Sequence, residues 1–192
     1  MISFTANYIT STSIQKIDDK AHPNKDVAIV EFNPTSKDDL AALEDLNYTW
    51  DSKILPDLYL SFYDTFLSSG VDCSEKYYAL TTQKDNFKKI QPECILGVVQ
   101  VNDDKVSDSI EIDYLEVNPD EQYGSEFRRY KHVGKALLSS IFKLFRDKQV
   151  AKVYALEEAI PFYSALGVRQ INEAEMEYDL SNCSNSNINC VV

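Results

Sequence analysis

The spacing of apolar and polar positions divides the chain into short strands and a few amphipathic helices. Residues 26–32 are rich in Val and Ile and read as a strand. Asn33-Pro34-Thr35-Ser36 is a turn, with Ser36 placed to cap a helix that carries Leu40, Leu43 and Leu46. Residues 51–69 read as more helix, interrupted at Pro56 and ended near Gly70. Its expected buried side is Leu58, Leu60, Phe62, Phe66 and Leu67. Then the texture changes. Residues 76–83, 93–101 and 109–117 read as strands, and the apolar centre of the second places it in the middle of a sheet. Asn102-Asp103-Asp104-Lys105 is the hairpin turn between the last two. A loop over 120–132 leads into the strongest helix, 133–148. Its Ala136, Leu137, Ile141, Leu144 and Phe145 recur at steps of three and four. A strand over 150–156 follows, then a short helix over 159–166 closed by Gly167, and a last strand over 176–180. The sum is a mixed α/β (α+β) fold: a central, mostly antiparallel twisted sheet of about six or seven strands with helices on both faces.

Composition narrows the class. The chain has 192 residues, 44% of them hydrophobic, which suits one packed domain over 1–180 followed by a polar tail over 181–192. Residues 1–17 alternate polar and apolar and lack a basic stretch followed by an apolar one, so no signal peptide is read there. No apolar run approaches the roughly 18 residues of a membrane span. No membrane partner and a cytoplasmic location are therefore expected. Cys94 sits in an apolar run and reads as a buried thiol, while Cys183 and Cys190 lie in the polar tail and could pair only in an oxidising compartment. The two histidines, His22 and His132, are far apart, and no metal site is expected. The formal net charge of −12 argues against nucleic acid as a partner and favours a cationic one, or serves solubility alone.

Against that acidity, one segment reverses sign. Arg128-Arg129-Tyr130-Lys131-His132-Val133-Gly134-Lys135-Ala136 joins a strand to a helix and carries four basic residues in nine positions. A helix start has unpaired N–H groups and partial positive charge, so this junction suits a phosphate or pyrophosphate. A solvated loop that balances Asp120, Glu121 and Glu126 is the plainer alternative.

These residues resemble motif A of the GNAT superfamily of N-acetyltransferases. Leu115-Glu116-Val117-Asn118-Pro119 matches the motif's strand end, Arg129 to Gly134 its Arg/Gln-x-x-Gly-x-Gly/Ala loop, and Lys135-Ala136-Leu137-Leu138 its helix. Phe162-Tyr163-Ser164-Ala165-Leu166-Gly167-Val168 resembles motif B, and Ile95-Leu96-Gly97-Val98-Val99 the preceding central strand. The resemblance covers about 76–168, the cofactor-binding core; residues 1–75 would form the acceptor side. Three departures stand out. His132 replaces the first loop glycine, the loop before Arg129 is longer than usual, and Leu156 stands where an Asn often precedes motif B. The loop can also be read two residues later, with Lys131 in the Arg/Gln place and Gly134 as first glycine. The long loop would shape the acceptor entrance or a homodimer contact.

The resemblance implies acetyl-CoA as co-substrate, no metal, and an amine acceptor. Backbone groups of Leu115, Glu116 and Val117 would hold the pantetheine arm and the thioester oxygen. Backbone N–H groups of Tyr130, Lys131, His132, Val133, Gly134 and Lys135 would hold the pyrophosphate, with Arg129 as charge support. Tyr163 would protonate the leaving thiolate, with Phe162 in the core. For the base, a strand's period of two puts Glu111, Asp113, Leu115 and Val117 on one face and Glu116 on the other. Glu111 and Asp113 are then the candidate general bases, or no dedicated base exists. The competing reading is a non-catalytic module of the same fold that holds CoA or a protein partner. An unrelated nucleotide-binding domain is disfavoured, because neither Gly-x-Gly-x-x-Gly nor a P-loop occurs.

Overall fold

The computed structural model describes residues 6–68 and 74–185. Cys73, Cys190 and Gly70 lie outside the described residues. Two strands, β1 (Asn7–Lys16) and β2 (Asn24–Phe32), form an opening hairpin. Helices α1 (Lys37–Thr49) and α2 (Leu55–Leu67) follow. Strands β3 (Glu75–Thr81), β4 (Ile95–Asn102) and β5 (Ser109–Val117) run as an antiparallel meander. A short β6 (Tyr130–Lys131) precedes α3 (Val133–Leu144). Then come β7 (Val150–Tyr154), α4 (Ile160–Ala165), β8 (Arg169–Gln170), β9 (Glu175–Asp179) and α5 (Asn182–Asn185).

All strands join one sheet in the order β6-β1-β2-β3-β4-β5-β7-β9-β8. Pairing is antiparallel throughout except between β5 and β7, which α3 connects in parallel. Of the nine strands, β6 and β8 have two residues each, leaving seven that carry the sheet. β4 lies at the centre and is buried from Ile95 to Val101, as its apolar run predicts. Helices cover both faces. Leu43, Leu46, Leu55, Leu58 and Phe62 of α1 and α2 pack on Val30, Phe32, Tyr77 and Val98. Leu137, Leu138, Ile141 and Phe142 of α3 pack on Ile29, Leu80, Val99 and Ile112 on the other face.

The expected cap at Ser36 forms, its hydroxyl accepting from Asp39 N at 3.2 Å. Pro56 does not interrupt a helix but opens α2 from its first turn, where its missing N–H costs nothing. The buried stripe of α2 is Leu55, Leu58 and Phe62. Leu60 and Leu67 are 54% and 60% exposed instead, because only one stripe of a helix can face the sheet. The chain ends α3 at Leu144, itself partly exposed, and β7 at Tyr154. Cys94 is half-buried in a single 3₁₀ turn rather than inside β4, its thiol near Gln91 Oε1. β1 has no counterpart among the expected strands: only Ile14 of its ten residues is buried.

Candidate active site

A β-bulge in β5 sets the geometry. β4 and β5 pair Val101 with Ile112 but Gln100 with Tyr114, which leaves Asp113 as the extra residue. Before the bulge, Ile110 and Ile112 face α3; after it, Leu115 and Val117 do. The period of two is therefore broken, and the expected shared face of Glu111, Asp113, Leu115 and Val117 does not exist. Asp113 and Tyr114 both turn toward α2, lining a polar pocket with Ser61 and Gln100. Glu111 and Glu116 point to that side as well, by alternation from Ile112 and Leu115.

Beyond Ile112, β5 and β7 separate: their pairing ends at Ile112 and Val153. Asn118 N donates to Leu96 O at 2.9 Å, so Gly97 and Val117 are a non-hydrogen-bonded pair. The N–H and C=O groups of Val117, and of Leu115 two residues before it, thus point away from β4 into the gap. Gln122 Nε2 uses one of them, donating to Val117 O at 3.1 Å and to Glu116 Oε1 at 3.0 Å. Burial raises the pKa of Glu116, while hydrogen bonds from Ser52 and Gln122 oppose the shift.

The gap opens into a groove of about 800 Å³. Leu115, Glu116 and Val117 line one wall, the start of α3 and Phe162 and Tyr163 of α4 the other. The first hydrogen bond of α3 runs from Ala136 N to His132 O. The N–H groups of Val133, Gly134 and Lys135 precede the ladder and lie at the groove. Gly134 leaves little room for a side chain: a Cβ would stand 3.3 Å from both Phe162 Cζ and Val117 Cγ2, which would have to shift to admit it. His132 is the residue before the helix and adopts φ 64°, ψ 23°, a left-handed conformation usual for glycine. A left-handed residue at 132 is compatible with the register that puts His132 in the first-glycine place. Its imidazole pKa is lowered by burial and by Lys135, Arg128 and Lys131.

Arg129 does not reach the groove. Its Nε donates to Glu121 Oε1 at 2.8 Å, and it lines a separate hollow with Trp50 and Asp120. Glu121, whose carboxylate is fully buried, also accepts from Arg129 N at 2.9 Å and Tyr130 N at 2.8 Å. The N–H of Tyr130 is therefore spent, and Lys131 pairs with Gln15 of β1. Arg128 takes the place expected of Arg129: it lines the groove, its Nε donating to Tyr130 O at 3.0 Å. Both the clamp by Glu121 and the choice of Arg128 escape sequence reasoning, since Asp120-Glu121 and Arg128-Arg129 are neighbours of like charge.

Tyr163 is 7% exposed and lines the groove. Burial pushes its phenol up to about 12, and its hydroxyl has no hydrogen-bond partner among the described residues. Phe162 stands at the groove wall, edge-on to Tyr163 at 5.1 Å between ring centres, rather than in the core. Asp113 lies in the adjoining pocket. Burial first, then Glu111 and Glu75, raise its carboxyl to about 6. Among the described residues no group of three or more His, Cys, Asp or Glu could hold a metal. Nor is any helix long and apolar enough to cross a membrane.

No protein-family model and no curated protein matches the chain in sequence. Solved structures do match in fold. Tetrahymena GCN5 aligns with 76% of this chain and 90% of its own at a TM-score of 0.53 and 14% identity. An acetyltransferase assigned to the GNAT family from Desulfovibrio desulfuricans aligns with 81% and 99% at 0.55 and 14%. A chimera of spermidine N-acetyltransferase SpeG from Vibrio cholerae and hSSAT aligns with 83% and 99% at 0.54 and 13%. A bulged β5 that parts from β7 beside the start of α3 thus sits in a known architecture, and the chain has the fold of the GNAT-family acetyltransferases.

Proposed function

We propose that this protein is an N-acetyltransferase that moves the acetyl group of acetyl-CoA to an amine of a cationic acceptor. One observation carries the reading. The open main-chain edge of β5 at Leu115 and Val117 faces the free N–H groups of α3 across a single groove. Such a groove suits a thioester on an extended arm at one end and a pyrophosphate at the other. Gly134 keeps the helix start open, and Arg128 and Lys135 bring positive charge to it in a chain of net charge −12. The spermidine acetyltransferase among the structural neighbours supports an amine as acceptor.

In this reading the N–H groups of Val133, Gly134 and Lys135 hold the pyrophosphate, with Arg128 and Lys135 as counter-charges. The main chain at Leu115 and Val117 orients the thioester and donates to its carbonyl oxygen. The acceptor enters from the α2 side through the gap between β5 and β7. Its nitrogen attacks the carbonyl carbon, so a C–N bond forms and the C–S bond breaks. The amine proton passes to Glu116, the carboxylate that lines the groove beside Leu115. The Tyr163 hydroxyl gives its proton to the departing thiolate, and both groups return to their starting states by exchange with water. A phenol held up to about 12 is fully protonated at neutral pH and so has a proton to give as the C–S bond breaks.

Asp113 is the second candidate for the base, on the observation that its carboxyl is raised to about 6. Initial rates separate the two. Glu116→Gln abolishes turnover in the first reading, Asp113→Asn in the second. The wider test is acetyl-CoA binding by calorimetry, on wild type and on Gly134→Asp, with circular dichroism to check that the variant folds. Binding in the wild type and loss in the variant are expected, followed by thiol release in an amine screen. A wild type that binds without turnover on any amine would make the chain a non-catalytic module, and one that does not bind refutes the groove's assignment.

A further inference from the structure

A second pocket opens beside the groove, on the α2 side of the bulge. Its volume is about 340 Å³, and Ser61, Glu75, Gln100, Asp113, Tyr114 and Tyr154 line it. Two acceptors in its wall, Gln100 Oε1 and the Asp113 carboxylate, call for a donor. Gln100 is 3% exposed, and its Nε2 donates to Ser61 Oγ at 3.0 Å. Its Oε1 is buried without a partner. A buried amide oxygen left unpaired costs free energy unless a ligand supplies the missing N–H. Asp113 has no cationic partner among the described residues, and the charged groups facing it, Glu111 and Glu75, are carboxylates. Lys152 stands beside Glu111 in the β5–β7 register. Glu75 is itself engaged with Tyr77, Ser61 and Thr65, and adds its charge rather than a free oxygen. Tyr114 and Tyr154 bring aromatic rings to the rim, surfaces that suit an alkylammonium chain.

We propose that this pocket holds the second ammonium group of a linear diamine or polyamine acceptor, with Gln100 Oε1 and the Asp113 carboxylate as its hydrogen-bond acceptors. The inference rests on the acetyltransferase reading with Glu116 as base, and it names the acceptor's class. Asp113 and Leu115 are two residues apart on β5, about 7 Å along the strand. A chain of a few methylenes spans that distance. It leaves one nitrogen in the pocket and sets the other in the gap beside Leu115, where the thioester is expected. A monoamine fills only one of the two positions.

Two measurements on the full chain test this. The first compares initial rates on 1,4-diaminobutane and 1-aminobutane with acetyl-CoA. The diamine should be preferred in kcat/KM by roughly tenfold to a hundredfold, the worth of one charged hydrogen-bonded contact. Gln100→Leu and Asp113→Asn should each cut that ratio about tenfold or more, chiefly through the KM of the diamine. The second is calorimetry of 1,4-diaminobutane on the protein without acetyl-CoA, which is independent of turnover. Binding that weakens in both variants sustains the pocket even if no acetyl transfer is found, in which case only the transferase reading falls. Equal use of the two amines by an active enzyme overturns the pocket and leaves the transferase. Equal loss of kcat on both amines in Asp113→Asn also overturns it, because that residue is then the base. No heat with the diamine overturns it in every case.

Discussion

Removing the carboxylate of Glu121 is the perturbation whose outcome the structure fixes most closely. That group is fully buried and accepts three hydrogen bonds, from Arg129 N, Arg129 Nε and Tyr130 N. Glu121→Ala strands two main-chain N–H groups at about 1–3 kcal/mol each. The Arg129 side chain is 58% exposed and returns to water at little cost. Water also enters at this loop edge, so a net loss of roughly 3 kcal/mol is expected, near the low end for breaking a buried ionic contact. In a chain of this length that lowers Tm by about 6–12 °C. Thermal unfolding followed by circular dichroism reads the size of the loss. Hydrogen exchange reads its place: the amides of Arg129 and Tyr130 should lose protection while those of β4 keep it. Affinity for acetyl-CoA should fall with them, since Gln122, Arg128 and His132 flank this clamp and line the groove. A Tm change below about 2 °C, with slow exchange kept at Arg129 and Tyr130, would refute the clamp.

Tyr163→Phe should bind acetyl-CoA as the wild type does but lower kcat by about a hundredfold or more, checked by calorimetry and thiol release; affinity and kcat both unchanged would assign the ring to packing instead. The imidazole of His132 is held below its ordinary pKa by burial and three cations, so a bound pyrophosphate should raise it and take up a proton. Acetyl-CoA should then bind more tightly at pH 6 than at pH 8, and His132→Asn, which tolerates the left-handed backbone, should flatten that slope in calorimetry. The carboxyl of Asp113 is raised to about 6, so its ionised form is disfavoured in the folded chain. Stability is lost as pH rises from the ordinary carboxylate range through about 6, and Asp113→Asn should raise Tm at pH 8 by more than at pH 4.

The elements that position the groove are legible wherever burial is complete. β4 is an apolar run because both its faces are covered, and α3 carries one dense apolar stripe because one face meets the sheet. Val117, Val133 and Gly134 fall at the groove because the strand end, loop and helix are contiguous in sequence, whereas Tyr163 reaches it from the separate helix α4. Where a segment is mostly solvated, the pattern fades. β1 reads as polar alternation, since nine of its ten residues are not buried, yet it closes the hairpin and pairs with β6 ahead of α3. Leu60 and Leu67 mislead in the opposite sense, as apolar residues on the outer side of α2. Composition does not distinguish an apolar residue that faces the sheet from one that faces water.

The bulge at Asp113 is a different kind of loss, because it changes what the sequence pattern means rather than hiding it. Ser109–Val117 is a strand with the expected bounds, and its alternation is sound on each side of the extra residue. A period of two carried through the bulge inverts every face beyond it. With the inversion corrected, Glu111, Asp113 and Glu116 all face the α2 side, while Leu115 and Val117 keep the α3 side. The same insertion bends β5 just past the last pair it makes with β7, at Ile112 and Val153. One unpaired residue thus gathers the carboxylates on the α2 side and borders the start of the open main-chain edge of the groove. Deleting Asp113 restores an unbroken period. It keeps the side chains of Leu115 and Val117 on the α3 face but removes the bend in β5, so loss of acetyl-CoA binding in that deletion, with Asp113→Asn still binding, would separate the bulge's backbone role from the charge of its side chain.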